Sequence, residues 1–264
     1  MYKKEAIILQ VEKVNLSYDR PILRDINLSV HNITRPNVKQ GQIVSLVGRS
    51  GIGKTQLFKI LSGLLQPDSG TVKIGSDLHN VTAGEVGVVP QNYILFNHRT
   101  IADNLHIGLR GSADKLNEKG KKELINDYAA RFGLKDQLKN YPMQLSGGQR
   151  QRVSIIQQIL TGNKFILLDE PFSGLDPIIK DKVLELLVSI SLLDELNTLV
   201  IVSHDIENAF AISDTAFILA VQDGKPGATI TETIDLMQMG FTWDPEIKKN
   251  KGFQELVSQM KFRM

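Results

Sequence analysis

The sequence predicts an α/β fold built on a mainly parallel sheet, from three observations. Short runs IVSLV (43–47), EVGVV (85–89), FILLD (165–169), TLVIVS (198–203) and AFILA (216–220) are continuously apolar rather than alternating. That pattern belongs to strands covered on both faces. Between them lie segments of helical periodicity, such as Val183, Leu187, Ile190 and Leu193 within 177–196. Strands that alternate with helices fold as parallel sheets with crossover helices.

Taken in order, residues 6–30 read as strand, turn, strand, with Asp19, Arg20 and Pro21 as the turn, so an antiparallel sheet is expected beside the main one. Residues 92–146 are polar, rich in helix formers and free of long β-like runs, which predicts an inserted α-helical subdomain. The helix over 177–196 has a clear start, with Asp176 as a capping carboxylate and Pro177 at the first helical position. Charge, Trp243 and Pro245 mark 231–264 as a C-terminal extension. The whole chain, 1–264, then forms a single domain with its core in 1–91 and 147–230.

Composition bounds the function. Lys and Arg number 31 against 29 Asp and Glu, a net charge of +2, and no basic run forms a nucleic-acid footprint. Lys119, Lys121 and Lys122, and Lys248, Lys249 and Lys251, read as solvated faces. The absence of cysteine excludes disulfides, thiolate metal sites and a thiol nucleophile. No apolar stretch approaches the ~18 residues needed to span a bilayer, and the run Ala6 to Leu9 is too short for a signal peptide. Work at a membrane would need a second chain.

Residues 48–55, GRSGIGKT, fit G-x-x-x-x-G-K-[ST] between a predicted strand and a predicted helix. Gly48, Gly51 and Gly53 let backbone N–H groups approach phosphate oxygens, and the following helix adds the positive end of its dipole. Lys54 supplies a point charge for the β- and γ-phosphates of ATP, and the Thr55 hydroxyl a ligand for Mg²⁺. With Arg49, Ser50 and Ile52 these residues form the expected nucleotide cradle of a P-loop NTPase. The run FILLDE (165–170) ends a buried strand in two acids, which need a partner. Asp169 is the expected Mg²⁺ acid, and Glu170 the group that activates water at the γ-phosphate.

Residues 145–152, LSGGQRQR, resemble the signature sequence of ABC ATPases. The resemblance covers about residues 10–225 and implies a RecA-like core. It also implies a dimer of two copies, or of one copy and a paired homologue. In that dimer Ser146, Gly147, Gly148 and Gln149 of one subunit close on the γ-phosphate held by the other. Gln91 matches the glutamine of the Q-loop, a metal or water contact; SGLD (173–176) matches the D-loop; His204 matches the switch histidine; Tyr18 matches the aromatic that stacks on adenine. Gln157 and Gln158 stand where many members carry Ala-Arg, and the segment 31–40 is longer than the usual link. His31, His79, His98 and His106 read as surface or structural, without metal-ligand spacing.

The resemblance implies an ATP-hydrolysing transporter subunit, cytoplasmic and peripheral on the inner face of the membrane. Its implied partners are an integral membrane permease and a periplasmic or lipid-anchored solute-binding protein. The segments 97–105, 141–160 and 240–247 look like the nitrate/sulfonate/taurine importer branch. Alternatives are a soluble ABC ATPase acting on ribosome or DNA, which lacks support from a second cassette or long insertion, and a P-loop kinase, which the signature and His204 oppose.

Overall fold

The computed structural model describes residues 2–34, 41–109, 116–242 and 244–263, so most of the long link at 35–40 and Trp243 lie outside the described residues. Among the described residues, ten strands form one sheet. They are β1 (Lys3–Ser17), β2 (Pro21–Thr34), β3 (Gln42–Val47), β4 (Ser69–Ile74), β5 (His79–Asn80), β6 (Gly87–Val89), β7 (Phe165–Asp169), β8 (Thr198–Ser203), β9 (Thr215–Val221) and β10 (Ala228–Asp235). Their order across the sheet is β5-β4-β1-β2-β10-β9-β3-β8-β7-β6. From β9 to β6 every pairing is parallel. The pairings of β1 with β2 and β4, and of β10 with β9, are antiparallel.

The helices are α1 (Lys54–Leu61), α2 (Ile101–Gly108), α3 (Glu118–Arg131), α4 (Gly147–Leu160), α5 (Pro177–Ser191), α6 (Ile206–Ile212) and α7 (Lys251–Arg263). They divide between two faces. On one face Leu57, Phe58, Ile60 and Leu61 of α1 share a core with Val44, Leu46, Leu167, Val200 and Val202 and with the antiparallel strands. On the other face the apolar sides of α2 and α4 to α7 cover Ile43, Val47, Ile166, Leu168, Leu199 and Ile201. Alternate residues of the same strands enter the two cores, which is why these strands read as unbroken apolar runs.

The expected antiparallel N-terminal strands are present, and β2 and β10 join them to the parallel part through the pair Ala228 and Leu23. Three expectations are corrected. The strand expected from Glu85 starts at Gly87, because the Glu85 carboxylate accepts from Thr82 N at 2.8 Å and pairs with His79. The helix expected to run to 196 stops at Ser191, whose carbonyl accepts from Gly41 N at 2.8 Å. Position 231, expected to open the extension, falls inside β10, and α7 buries Phe253, Leu256, Val257 and Met260 in the shared core.

In the stretch 92–146 the first helix begins only at Ile101. The Gln157–Gln158 pair also finds a use. Gln157 donates to Asn104 O of α2 at 2.9 Å, and Gln158 accepts from Val88 N of the edge strand β6 at 3.2 Å.

Asp205 caps α6, accepting from Asn208 N at 3.2 Å, and pairs with Lys180 of α5 at 2.7 Å. Burial raises its pKa, but Lys180 and Asn208 outweigh burial and hold it below the usual carboxylate value. A depressed carboxylate pKa contributes stability above the unfolded value, near 3.9, and loses it as pH falls through that range. Asp205→Ala is expected to lower unfolding free energy by about 1–2 kcal/mol at pH 7. Urea denaturation at a series of pH values checks this, and the gap to the parent protein should narrow below about pH 4.

Candidate functional site

Parallel strands that lie side by side deliver their carboxyl ends to one edge, where open α/β sheets bind ligands. In the order β3-β8-β7-β6, those ends are Val47, Ser203, Asp169 and Val89. The register levels them: Val47 faces Ser203, Asp169 faces Val202, and Val89 faces Leu168. The glycine-rich loop, His204, Asp169 with Glu170, and Gln91 therefore converge, although they span more than half the chain. Two ladder-like bonds extend this edge: Gly48 N donates to Ser203 O at 3.3 Å, and Glu170 N to Val202 O at 2.8 Å.

The loop between β3 and α1 needs its glycines for two different reasons. A Cβ at Gly48 would lie 2.6 Å from Leu219 O, so the backbone passes too close for any side chain. Gly53 sits at φ 110° directly before α1, in a region L side chains avoid. The loop then turns into α1 with its N-terminal N–H groups facing outward from the sheet edge.

Lys54 is 6% exposed and its three N–H groups each meet an oxygen. They donate to Gly48 O at 2.9 Å and Arg49 O at 3.1 Å, and pair with Glu170 Oε1 at 3.2 Å. Glu170 is held on its other side by His204, whose Nδ1 lies 2.7 Å from Oε2. His204 N at 3.2 Å and Ser203 Oγ at 3.3 Å donate to the same oxygen. Its backbone has φ 50°, a left-handed conformation that a glutamate adopts only where its surroundings impose it.

Asp169 is 8% exposed, and its Oδ1 has no hydrogen-bond partner. Burial, then the Glu170 charge, push its pKa up, while Lys54, Lys59 and the Thr55 hydroxyl pull against them. A buried carboxylate with an unpaired oxygen beside a second carboxylate and a hydroxyl is a donor set that suits a hard divalent cation. The chemistry of Asp169 and the Thr55 hydroxyl thus suits Mg²⁺. Gln91 donates Nε2 to Ser173 Oγ at 3.2 Å, which links the end of β6 to the SGLD segment.

Two predicted groups stand apart from this edge. Tyr18 lies in the β1–β2 turn, 60% exposed, its hydroxyl donating to Gln56 Oε1 of α1 at 3.0 Å. Its ring is thus beside the cradle and open to a flat partner. Ser146 and Gln149 form a reciprocal capping box at the start of α4, Ser146 N to Gln149 Oε1 at 2.9 Å and Gln149 N to Ser146 Oγ at 3.3 Å. The Ser146 hydroxyl keeps its own proton for another acceptor. This helix packs on α2 and β6, whereas α1 packs on β7 and β8.

The sequence profile described as ABC transporter matches residues 31–173. The chain is a member of the ABC transporter family. Among curated relatives, the thiamine import ATP-binding protein of Aliivibrio fischeri is 38% identical over 186 residues, covering 69% of this chain and 78% of that protein. The sulfate/thiosulfate import ATP-binding protein of Pseudomonas aeruginosa is 36% identical, covering 78% of this chain and 62% of that protein. The bicarbonate transport ATP-binding protein of Synechocystis is 30% identical, covering 89% and 80%. Among solved structures, CbiO1 of Clostridium perfringens, part of an ABC transporter complex, superposes with a TM-score of 0.73 at 24% identity, over 97% of this chain and all of that one. At that identity the likeness speaks for the fold.

The protein is an ABC transporter ATP-binding subunit with ATPase activity, and import ATP-binding proteins are among its relatives. Two members of the ABC site escaped the sequence reading. Ser203 donates to Glu170 and, through Oγ, accepts from Asp205 N at 3.0 Å, bracing both sides of His204. Its signal was present: a hydroxyl at the carboxyl end of the apolar run Leu199 to Val202. Gln56, the partner of Tyr18, gave none, since a glutamine on a helix surface is ordinary.

Proposed function

We propose that this subunit binds MgATP between the cradle of one copy and the LSGGQ segment of a second, and couples hydrolysis to import through a separate membrane permease. The carrying observation is the Glu170 carboxylate, suspended between Lys54 and His204 at the edge where Asp169 offers an unpaired oxygen. A phosphate entering the cradle would compete with Glu170 for the Lys54 ammonium. Displaced from Lys54 and still anchored by His204 and Ser203, Glu170 is placed to take a proton from a water attacking the γ-phosphate. Mg²⁺, held by Thr55 and Asp169 with Gln91, supplies charge neutralisation when bound. Gly48, Arg49, Ser50, Gly51, Ile52 and Gly53 surround the phosphates, and Tyr18 stacks on adenine.

The glycines of the signature support the two-copy reading. A Cβ at Gly147 would meet nothing within 4 Å, and one at Gly148 only Ile179 at 3.8 Å. Both sit in the first turn of α4, where glycine weakens a helix. Nothing among the described residues requires them, so the close approach they permit is assigned to a group from outside the chain. Ser146, Gly147, Gly148 and Gln149 therefore face the γ-phosphate of the partner copy's nucleotide.

No helix among the described residues is long and apolar enough to cross a membrane, so a transporter role calls for a permease as a second chain. Some relatives serve small anions, sulfate and bicarbonate, and others organic cations, thiamine and spermidine. The nitrate/sulfonate/taurine class, with a periplasmic or lipid-anchored binding protein, is supported by the segments 97–105, 141–160 and 240–247 alone. On this reading the subunit is cytoplasmic and peripheral on the inner face of the membrane.

The test is affinity purification of tagged Glu170→Gln with MgATP from detergent-solubilised cells of its source. A multi-span membrane protein in stoichiometric amount is the expected companion. Ribosomal or DNA-bound partners instead would move the coupling to a soluble ABC ATPase role.

A further inference from the structure

The structure holds one buried polar side chain beside the site that nothing above uses. Gln151 lies on the second turn of α4, fully buried, and its Nε2 donates to Pro171 O at 2.9 Å. Its Oε1 has no partner. The assignment of the two amide ends is fixed by the contact, since a carbonyl only accepts. An amide that leaves its oxygen unpaired in the interior costs the fold stability, so an apolar residue of the same length would serve packing better.

The bond lands next to the most constrained residue of the site. Pro171 follows Glu170, whose φ of 50° must be imposed from outside. The turn that carries it is gripped at several points. Glu170 N donates to Val202 O at 2.8 Å, Ser173 N to Glu170 O at 3.1 Å, and Gln91 Nε2 to Ser173 Oγ at 3.2 Å. Among these grips Gln151 brings the signature helix. Proline has no N–H, so the Pro171 carbonyl is the only polar backbone group at that position through which the turn can be held.

We propose that Gln151 is a positioning residue: its amide fixes the Pro171 carbonyl, and with it the left-handed turn that aims Glu170 at the attacking water. The proposal rests on the role given to Glu170 above. It makes the position of α4, whose first turn faces the partner copy, felt within the same subunit at the group that activates water. Gln151 touches neither nucleotide nor water itself.

Two substitutions remove the bond by different routes. Gln151→Met keeps the reach and loses the donor; Gln151→Asn keeps the amide and loses the reach. Both are expected to lower kcat of the purified protein roughly tenfold or more, with the Kd for MgATP changed less than about twofold. Introduced into Glu170→Gln, either change should slow the residual hydrolysis no further, because residues that act through one another are not additive. A role in packing alone predicts the opposite: unchanged kcat per folded molecule, or equal losses in both backgrounds, and either result overturns the proposal. The controls separate the two readings. Normal turnover in Glu170→Gln alone would remove the role of Glu170. A slow Glu170→Gln beside wild-type kcat in both Gln151 variants would remove only the role of Gln151.

Discussion

Glu170→Gln is expected to lower ATP turnover at least a hundredfold while leaving MgATP binding intact or tighter. The amide keeps the shape of the carboxylate and its bonds from His204 N and Ser203, but it cannot take a proton from water. A positioned general base contributes ~10²–10⁴-fold, equivalent to about 3–5 kcal/mol of barrier. The neutral side chain also releases Lys54 from its ion pair at 3.2 Å, so the ammonium is freer to meet phosphate. Binding without hydrolysis should then accumulate an ATP-bound dimer. Single-turnover phosphate release, nucleotide titration and size-exclusion chromatography with MgATP measure the three effects. Turnover at the parental rate would refute the assignment.

Lys54→Ala is expected to act on binding first. The ammonium is the main point charge of the cradle, and a hydrogen bond to a charged group contributes ~1.5–3 kcal/mol. At ~1.4 kcal/mol per tenfold, the Kd for MgATP should weaken roughly ten- to a hundredfold. The variant also leaves Gly48 O, Arg49 O and Glu170 without the cation that joins them. Stability without nucleotide should therefore fall as well. Isothermal titration with MgATP, and denaturant unfolding without it, separate the two losses. A Kd unchanged within twofold would place the phosphates elsewhere.

These two variants are distinguished by which observable moves. Glu170→Gln removes an interaction made in the transition state and shows in kcat; Lys54→Ala removes one made already on binding and shows in Kd. The two groups touch each other, so their effects should not add in the double variant.

The motifs were legible because each needs a local backbone that few residues allow. Gly48 is dictated by the passing Leu219 carbonyl, and Gly53 by its left-handed backbone before α1; such demands leave a fixed spacing in the sequence. The two-faced strands were legible for a similar reason, since burial on both sides forbids alternation. The end of α5 was not legible. Apolar periodicity continues through Leu192 and Leu193, and the helix stops because Ser191 O turns to Gly41 N, a partner 150 residues away. The start of β6 was hidden likewise: Glu85 leaves the strand to cap Thr82 and meet His79.

By itself, then, the sequence determined the α/β class, the glycine-rich loop between strand and helix, the paired acids and the family, all written in short-range patterns of shape and polarity. Only the tertiary structure decided how they act on one another. Strand order places β8 between β3 and β7, and that brings His204, Glu170 and Lys54 into one chain of polar contacts. It also carries Gln151 from the signature helix to the Pro171 carbonyl, a contact between residues 20 apart that no periodicity encodes. The reason is physical. Local backbone preferences act over a turn or two, whereas the partners of a buried charge or amide are chosen by whichever elements the sheet lays side by side.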